Sequence, residues 1–253
     1  MNPAFQGLQI LPVLGIGDIA PGSDLSTVIG KALDAQGTPL TDGDIVVVTQ
    51  KVVSKAEGCL VQLDDVEPSA LAIEWANQWD KDPRVVELVL RQSRRIVRMD
   101  RGVIISETHH GFVCANAGVD LSNVGGDRAT LLPTDPDASA ERLRAGLSLA
   151  SGARVGVVIT DTHGRAWREG QINLAIGVAG VEALRHFEGQ LDPTGYELRV
   201  TMLATADELA SAAELVMGKV DRVPVALVRG LERALGKGSA RELIRPAAND
   251  LFR

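Results

Sequence analysis

Aromatic side chains make up only 3% of this 253-residue sequence: three tryptophans, one tyrosine and four phenylalanines. Val, Leu, Ile and Ala must therefore fill most of any core. Cysteine is just as scarce, with Cys59 and Cys114 the two present. Two cysteines without metal-ligand spacing exclude a disulfide framework and read as reduced thiols of an intracellular protein. A positive excess is also missing, since 33 acids against 26 bases leave a net charge of −7. That balance argues against a nucleic-acid partner, which needs a basic surface to displace counterions, but it leaves room for local basic pockets. No apolar run approaches the roughly 18 residues that a membrane span needs. Residues 1–6 lack a basic stretch followed by an apolar one. The expectation is a cytoplasmic protein with no membrane partner.

What is present are short β-branched runs and longer amphipathic ones. Residues 45–49 (IVVVT), 103–105, 155–160 and 223–228 read as buried strands. Residues 64–80, 83–92, 138–149 and 207–217 read as helices, the third opened by Asp135-Pro136-Asp137 and the fourth stopped by Gly218. The two kinds of segment mix without strict alternation. The fold class predicted is therefore α+β (mixed α/β), with largely antiparallel or mixed sheets and flanking helices. No linker or repeat is visible, so residues 1–253 read as a single catalytic domain, with Pro133 and Pro136 a candidate boundary between two interleaved lobes.

Two glycine motifs come close to nucleotide signatures. Gly15-Ile16-Gly17-Asp18-Ile19-Ala20 fits the looser dinucleotide fingerprint, but Pro21-Gly22 breaks the helix that would have to begin there. Residues 230–239 (GLERALGKGS) follow a strand, yet five residues rather than four precede Gly236-Lys237, and Gly238 stands where a P-loop needs Ser or Thr. Neither a Rossmann nor a Walker A site is expected.

Two polar segments carry more chemistry than packing requires. Residues 117–125 hold Asp120, Ser122 and Asn123 just after an apolar run. Residues 159–171 hold Asp161, Thr162, Arg165 and Arg168, again after a strand, where sheets build ligand sites. Carboxylates with a hydroxyl make a hard oxygen site suited to Mg²⁺ or Mn²⁺, and arginine forks suit phosphates or carboxylates. A lone aspartate at such a place could equally be a turn or helix cap; the density of polar groups favours a site. Lys51 and Lys55, straight after 45–49, are candidate phosphate ligands, although surface lysines are usually just solvated. His109 and His110 read as loop residues, with His110 an outside candidate for substrate contact.

Taken in order, these segments resemble the coenzyme F420-0:γ-glutamyl ligase family. The resemblance rests on DGDIVVVTQKVVSKAEG from Asp42, AGVDLSNVG from Ala117, LLPTDPDASA from Leu131, VVITDTHGRAWREGQ from Val157, TADELASAAELVMGK from Thr205 and RPAANDLF from Arg245. It implies an enzyme that uses GTP to join L-glutamate to coenzyme F420-0 and then adds further γ-linked glutamates. It also implies a homodimer and one or two divalent ions, Mn²⁺ or Mg²⁺. Carried over residue by residue, Asp120 and Asp161 hold the first ion and Thr162 helps with a second. Ile16, Gly17, Asp18, Ile19, Gln50, Lys55, Asn123, Met217, Gly218 and Lys219 surround the nucleotide. Lys55 with Arg165 or Arg168 would serve catalysis. Lys219 departs from the pattern, because relatives often have an acceptor near it and a charged lysine cannot ligate metal; His163 has no counterpart. A carboxylate must be activated before it forms an amide, which points to an acyl phosphate. A metal-dependent phosphohydrolase or a nucleotide-binding regulatory module would use the same carboxylates.

Overall fold

The computed structural model describes residues 7–251; residues 1–6, read above for a leader, and 252–253 lie outside them. Its centre is the run Ile45–Thr49 (β2), four of whose residues are fully buried. Burial on both faces is why the run is apolar throughout rather than alternating. Val46 and Val48 turn to one face, Ile45 and Val47 to the other, as the two-residue period of a strand dictates.

Around β2 stand Gln9–Pro12 (β1), Gly156–Arg165 (β8), Arg168–Ala179 (β9) and Val225–Arg229 (β12), in the order β1-β12-β2-β8-β9. The β2–β8 pair is parallel and the other three are antiparallel, so the sheet is mixed, as expected. Helices Leu25–Ala35 (α1) and Pro136–Ser151 (α5) cover the face of Val46 and Val48, and Thr205–Met217 (α6) covers the other. α5 starts on the cap of Asp135, with Pro136 in its first turn, and stops at Gly152, whose φ is +74°, as the sequence signals require. Gly177 of β9 lets α5 approach closely, because a Cβ there would fall on the Pro136 carbonyl.

Between β2 and α5 the chain builds a second group of elements. Gln50–Ala56 (α2) leaves β2 directly, and Leu60–Gln62 (β3) pairs with Arg128–Thr130 (β7). Ala70–Trp79 (α3) and Pro83–Gln92 (α4) pack on an antiparallel sheet of Ser93–Asp100 (β4), Val103–Thr108 (β5) and Val113–Ala115 (β6). A two-residue pair, Arg185–His186 (β10) and Met202–Leu203 (β11), completes the strands.

Several expectations need correction. The helix read over 64–80 begins only at Ala70, because Pro68 cannot continue a helix and Ser69 caps the next one by accepting from the Ala72 amide. Residues Leu63–Asp65 form a separate 3-10 turn. β4 was not expected from its three arginines; Arg95 pairs across the ladder with Glu107, which supplies the cross-strand attraction that apolar alternation usually signals. The segment after residue 160 is no loop, since β8 runs on to Arg165 and folds back as β9. The aliphatic run 172–181 is the end of strand β9 and its exit, and Ala175, Ile176, Val178 and Val181 are buried within the chain. Residues 230–239 hold a single 3-10 turn, Glu232–Ala234, rather than a helix start, and residues 15–20 precede α1 without a helix, so neither near-motif is a nucleotide loop of its namesake kind.

Candidate active site

The parallel pair β2–β8 ends with Thr49 opposite Thr160. Beyond that point β2 turns into α2, while β8 goes on as a two-stranded ribbon with β9. Lys51 and Lys55, four apart on α2, share one helical face and both reach the turn 120–123. The Lys51 ammonium lies 2.8 Å from Asp120 Oδ2 and donates to Ser122 Oγ. Lys55 donates to the Asn123 carbonyl at 2.6 Å.

Asp120 is placed by a tight reversal after β6. Asn116, Ala117 and Gly118 all take left-handed backbone, with φ of +52°, +50° and +71°. Two non-glycine residues there carry a conformational cost, and Ala117 is buried. Asp120 then pairs with Thr130 through two backbone hydrogen bonds of 3.1 and 2.8 Å, and its carboxylate accepts from the Ser122 amide at 2.6 Å. Burial works against its charge, but the Lys51 and Ser122 hydrogen bonds outweigh it and hold its carboxyl below the usual range.

Asp161 sits one residue past the last β2 partner of β8. Its carboxyl is raised above the usual range, first by desolvation and further by the negative charge of Asp120, against the pull of His163 and Lys219. The two carboxylates are therefore near enough to sense each other's charge. Cys114 senses Asp161 as well: burial, helped by the charge of Asp161, pushes its thiol up to about 12, so it is no thiolate nucleophile.

Thr162 belongs to a polar network absent from the sequence reading. Its hydroxyl donates to Asn173 Oδ1 at 2.8 Å and accepts from the Lys219 ammonium. Asn173 Nδ2 donates to Glu214 Oε2 at 2.7 Å, and Lys219 lies 3.3 Å from Glu214 Oε1. Asn173 is buried; an amide inside the aliphatic run Ile172-Asn173-Leu174 was the available signal, and Glu214 had none beyond its place on α6. Lys219 thus occupies the Thr162 hydroxyl oxygen and the Glu214 carboxylate together. His163 is buried, its Nδ1 3.3 Å from the Asp161 carbonyl.

The other predicted residues are brought together only in part. The loop holding Ile16, Gly17, Asp18 and Ile19 is tied to the end of α2, where the Gly22 amide donates to the Ala56 carbonyl at 2.8 Å. Gln50 is buried and accepts from Ser54 Oγ at 2.8 Å, so its side chain points into the protein. The Met217 side chain is fully buried under the sheet, and Gly218, with φ +62°, makes the turn that presents Lys219. Arg165 and Arg168 are not beside the carboxylates. They pair with each other at the far end of the ribbon, roughly 13 Å beyond Asp161 at a strand rise of about 3.3 Å per residue, and Arg165 donates to the Glu169 and Gly170 carbonyls. Closeness along the sequence put the arginines beside Asp161, and an extended hairpin carries them away.

The donors fit a hard divalent ion. Asp120, Asp161 and the Thr162 hydroxyl are all oxygen ligands, and the charge conflict at Asp161 is what a cation would relieve. Among the described residues no three His, Cys, Asp or Glu side chains gather into a metal cage. Two carboxylates completed by substrate oxygens is nevertheless the arrangement Mg²⁺ commonly takes. A cavity of about 410 Å³ adjoins Asp120 and Ser122, walled by Trp75, Val86, Val89 and Ile104 with Lys81 at its edge.

Two carboxylates that sense each other's charge, with Lys51 and Lys55 reaching the turn of the first and an apolar cavity beside it, are the makings of an enzyme site for anionic small molecules. The chain belongs to the F420-0:Gamma-glutamyl ligase family, whose model matches residues 14–230. It is 43% identical over 250 residues to the coenzyme F420:L-glutamate ligase of Methanothermobacter thermautotrophicus, covering 98% of this chain and 99% of that one. It is 46% identical to the enzymes of the same name from Methanopyrus kandleri, over 97% and 98% of the two chains, and Methanocaldococcus jannaschii, over 85% and 86%. Among the described residues no helix is long and apolar enough to cross a membrane.

Proposed function

We propose that this enzyme joins L-glutamate to coenzyme F420-0 with GTP and then adds further γ-linked glutamates, working in the cytoplasm as a homodimer. The observation that supports this reading is that Asp120 and Asp161 lie near enough to sense each other's charge, with an apolar-walled cavity beside Asp120. A phosphohydrolase or a regulatory nucleotide module needs the carboxylates but not a second-substrate cavity.

The chemistry follows from the leaving group. Oxide cannot leave a free carboxylate, so the acceptor carboxylate first takes the terminal phosphoryl group of GTP, giving an acyl phosphate and GDP. The glutamate amine attacks the acyl carbon, loses a proton, and phosphate departs as the amide forms. A divalent ion held by Asp120 and Asp161 would supply neutralisation of phosphate charge; a second ion at Thr162 would have to displace Lys219 from its hydroxyl. Lys55 holds phosphate oxygens as a point charge, released for this from the Asn123 carbonyl. Lys51 positions Asp120. The strand-end setting restricts water and fixes the carboxylates. Arg165 and Arg168 lie too far along the ribbon to touch the reacting groups of their own site.

Mass spectrometry of F420-0 incubated with glutamate, GTP and Mn²⁺ tests the proposal. Glutamylated product, with phosphate release that requires both acceptor and amine, is expected. Phosphate release without them would mean a hydrolase, and none at all a binding module.

A further inference from the structure

The motif at residues 230–239 plays no part in the site just described, yet it borders another cavity. A cavity of about 680 Å³ opens at the opposite end of the β8–β9 pair, where Val155 leads into β8 and Ala179–Gly180 leaves β9. Its volume is in the range of small-molecule sites. Val155 and Leu235 line an apolar wall, and three cations stand around it: Arg144 from α5, Arg154 from the turn before β8, and Lys237. Such a concentration runs against the chain's net charge of −7.

Only one of these cations is neutralised inside the cavity. Glu141 accepts from Arg144 at 2.8 and 2.6 Å. The side chains of Arg154 and Lys237 have no hydrogen-bond or ion-pair partner among the described residues. Lys237 is held at the rim by its flanking glycines. A Cβ at Gly238 would fall on the backbone of Val181 and Ala183, and one at Gly236 on the Glu182 side chain. Only glycines let this turn lie flat against the chain leaving β9, so the lysine is carried to the edge of the cavity that Arg154 also lines.

We propose that this cavity is a second binding site, remote from Asp120 and Asp161, for a phosphate-bearing small molecule of about mononucleotide size, with Arg154 and Lys237 holding the phosphate. A guanidinium fork and an ammonium converging from separate segments suit a phosphate dianion, and the apolar wall suits a ring or alkyl body. The alternative is two cations that are merely solvated.

Calorimetric titration with pyrophosphate and with GMP separates the two. It is run on the full chain, on Arg154→Gln/Lys237→Gln, and on a charge-matched control, Lys31→Gln/Arg199→Gln, all four positions being exposed. The parent should show two classes of site for at least one probe. The Arg154/Lys237 variant should weaken one class roughly tenfold or more, the scale of losing charge-assisted hydrogen bonds, and keep ligase turnover and melting temperature. The control should keep both classes. Unchanged binding in the Arg154/Lys237 variant, an equal loss in the control, or a single class in the parent that Lys55→Ala removes would each overturn the proposal. Because the readout is binding, it stands or falls separately from the ligase reading.

Discussion

The Lys51 ammonium lies 2.8 Å from Asp120 Oδ2, which ties the helix leaving β2 to the left-handed turn that carries the first carboxylate. Lys55, one helical turn on, bonds a backbone carbonyl at Asn123 and no side chain among the described residues. Neighbours on one face of α2 are thus engaged with different things, and this separates their roles: Lys51 positions a carboxylate, and Lys55 is available to a phosphate.

Lys55→Ala should accordingly raise KM for GTP roughly tenfold, the value of one charged hydrogen bond, with a smaller change in kcat. Lys51→Ala should act chiefly on kcat, by freeing Asp120 from its position. Steady-state kinetics with GTP as the varied substrate tests this. A larger KM effect from Lys51→Ala would reverse the assignment.

Asp161→Asn and Asp120→Asn should each lower turnover by more than about 100-fold, as loss of charge stabilisation at transferring phosphate does. Their effects on stability should differ. Asp161 carries a charge that burial and Asp120 both disfavour, so its amide should melt a few degrees higher, the usual trade between a site and its scaffold. Asp120 is already paired, and its amide should gain nothing. A lower melting temperature for Asp161→Asn would show that the carboxylate is better satisfied than its surroundings suggest.

Much of this was legible in the sequence, and the failures have particular causes. The β-branched run of β2 and the caps of α5 announce themselves because local chemistry decides them. Asp120 and Asp161 could be picked out because a charged residue next to an apolar run is informative whichever way the chain turns. The hairpin beyond Asp161 was not legible: Gly164 and the polar residues around it look like a loop, and only the ladder with β9 makes them strand. Arg165 and Arg168 were misplaced for that reason. Asn173 and Glu214 escaped because a side-chain network between β9 and α6 is a property of tertiary packing, with no spacing rule to reveal it.

That network sets the next expectation. Asn173→Ala would strip Thr162 Oγ and Glu214 of a buried partner, and stranded polar groups cost about 1–3 kcal/mol. At roughly 2–4 °C per kcal/mol for a chain of this size, thermal unfolding should fall by several degrees. Activity should fall as well, through misplacement of Thr162. An unaltered melting temperature would mean that the network is dispensable.

Stability against acid should depend on Asp24. Its carboxylate caps α1, accepting from Ser26 and Thr27 hydroxyls at 2.6 Å and from both amides, and the Ser26 hydroxyl foremost lowers its pKa to about 2. A carboxyl lower in the folded than in the unfolded chain stabilises fully above its unfolded value, about 3.9, and loses that contribution as the pH falls through the folded value. Asp24→Ala should therefore cost about 1 kcal/mol at pH 7, and the gap from the parent should close between about pH 4 and pH 2. A gap that stays constant over that interval would rule out the charged cap as its source.

The proposed homodimer can be argued from what is left uncovered. The aliphatic run 172–181 is spent largely on the core of its own chain, so the proposed interface would lie elsewhere. Leu191, Tyr196, Val200, Met202 and Leu203 are 69%, 64%, 85%, 55% and 41% exposed, within the segment around β10 and β11. A second copy of this chain is the partner such a surface suits, provided that the joint interface reaches the roughly 2,000 Å² or more typical of obligate dimers. Subunit association would then stabilise the fold by mass action. Sedimentation at micromolar concentration should give a species of twice the chain mass of 26.8 kDa, and Tyr196→Asp/Val200→Asp should shift it toward one chain and lower its melting temperature. A fully active parent that sediments as a single chain would refute the dimer, and unchanged association of the double variant would move the interface away from residues 191–203.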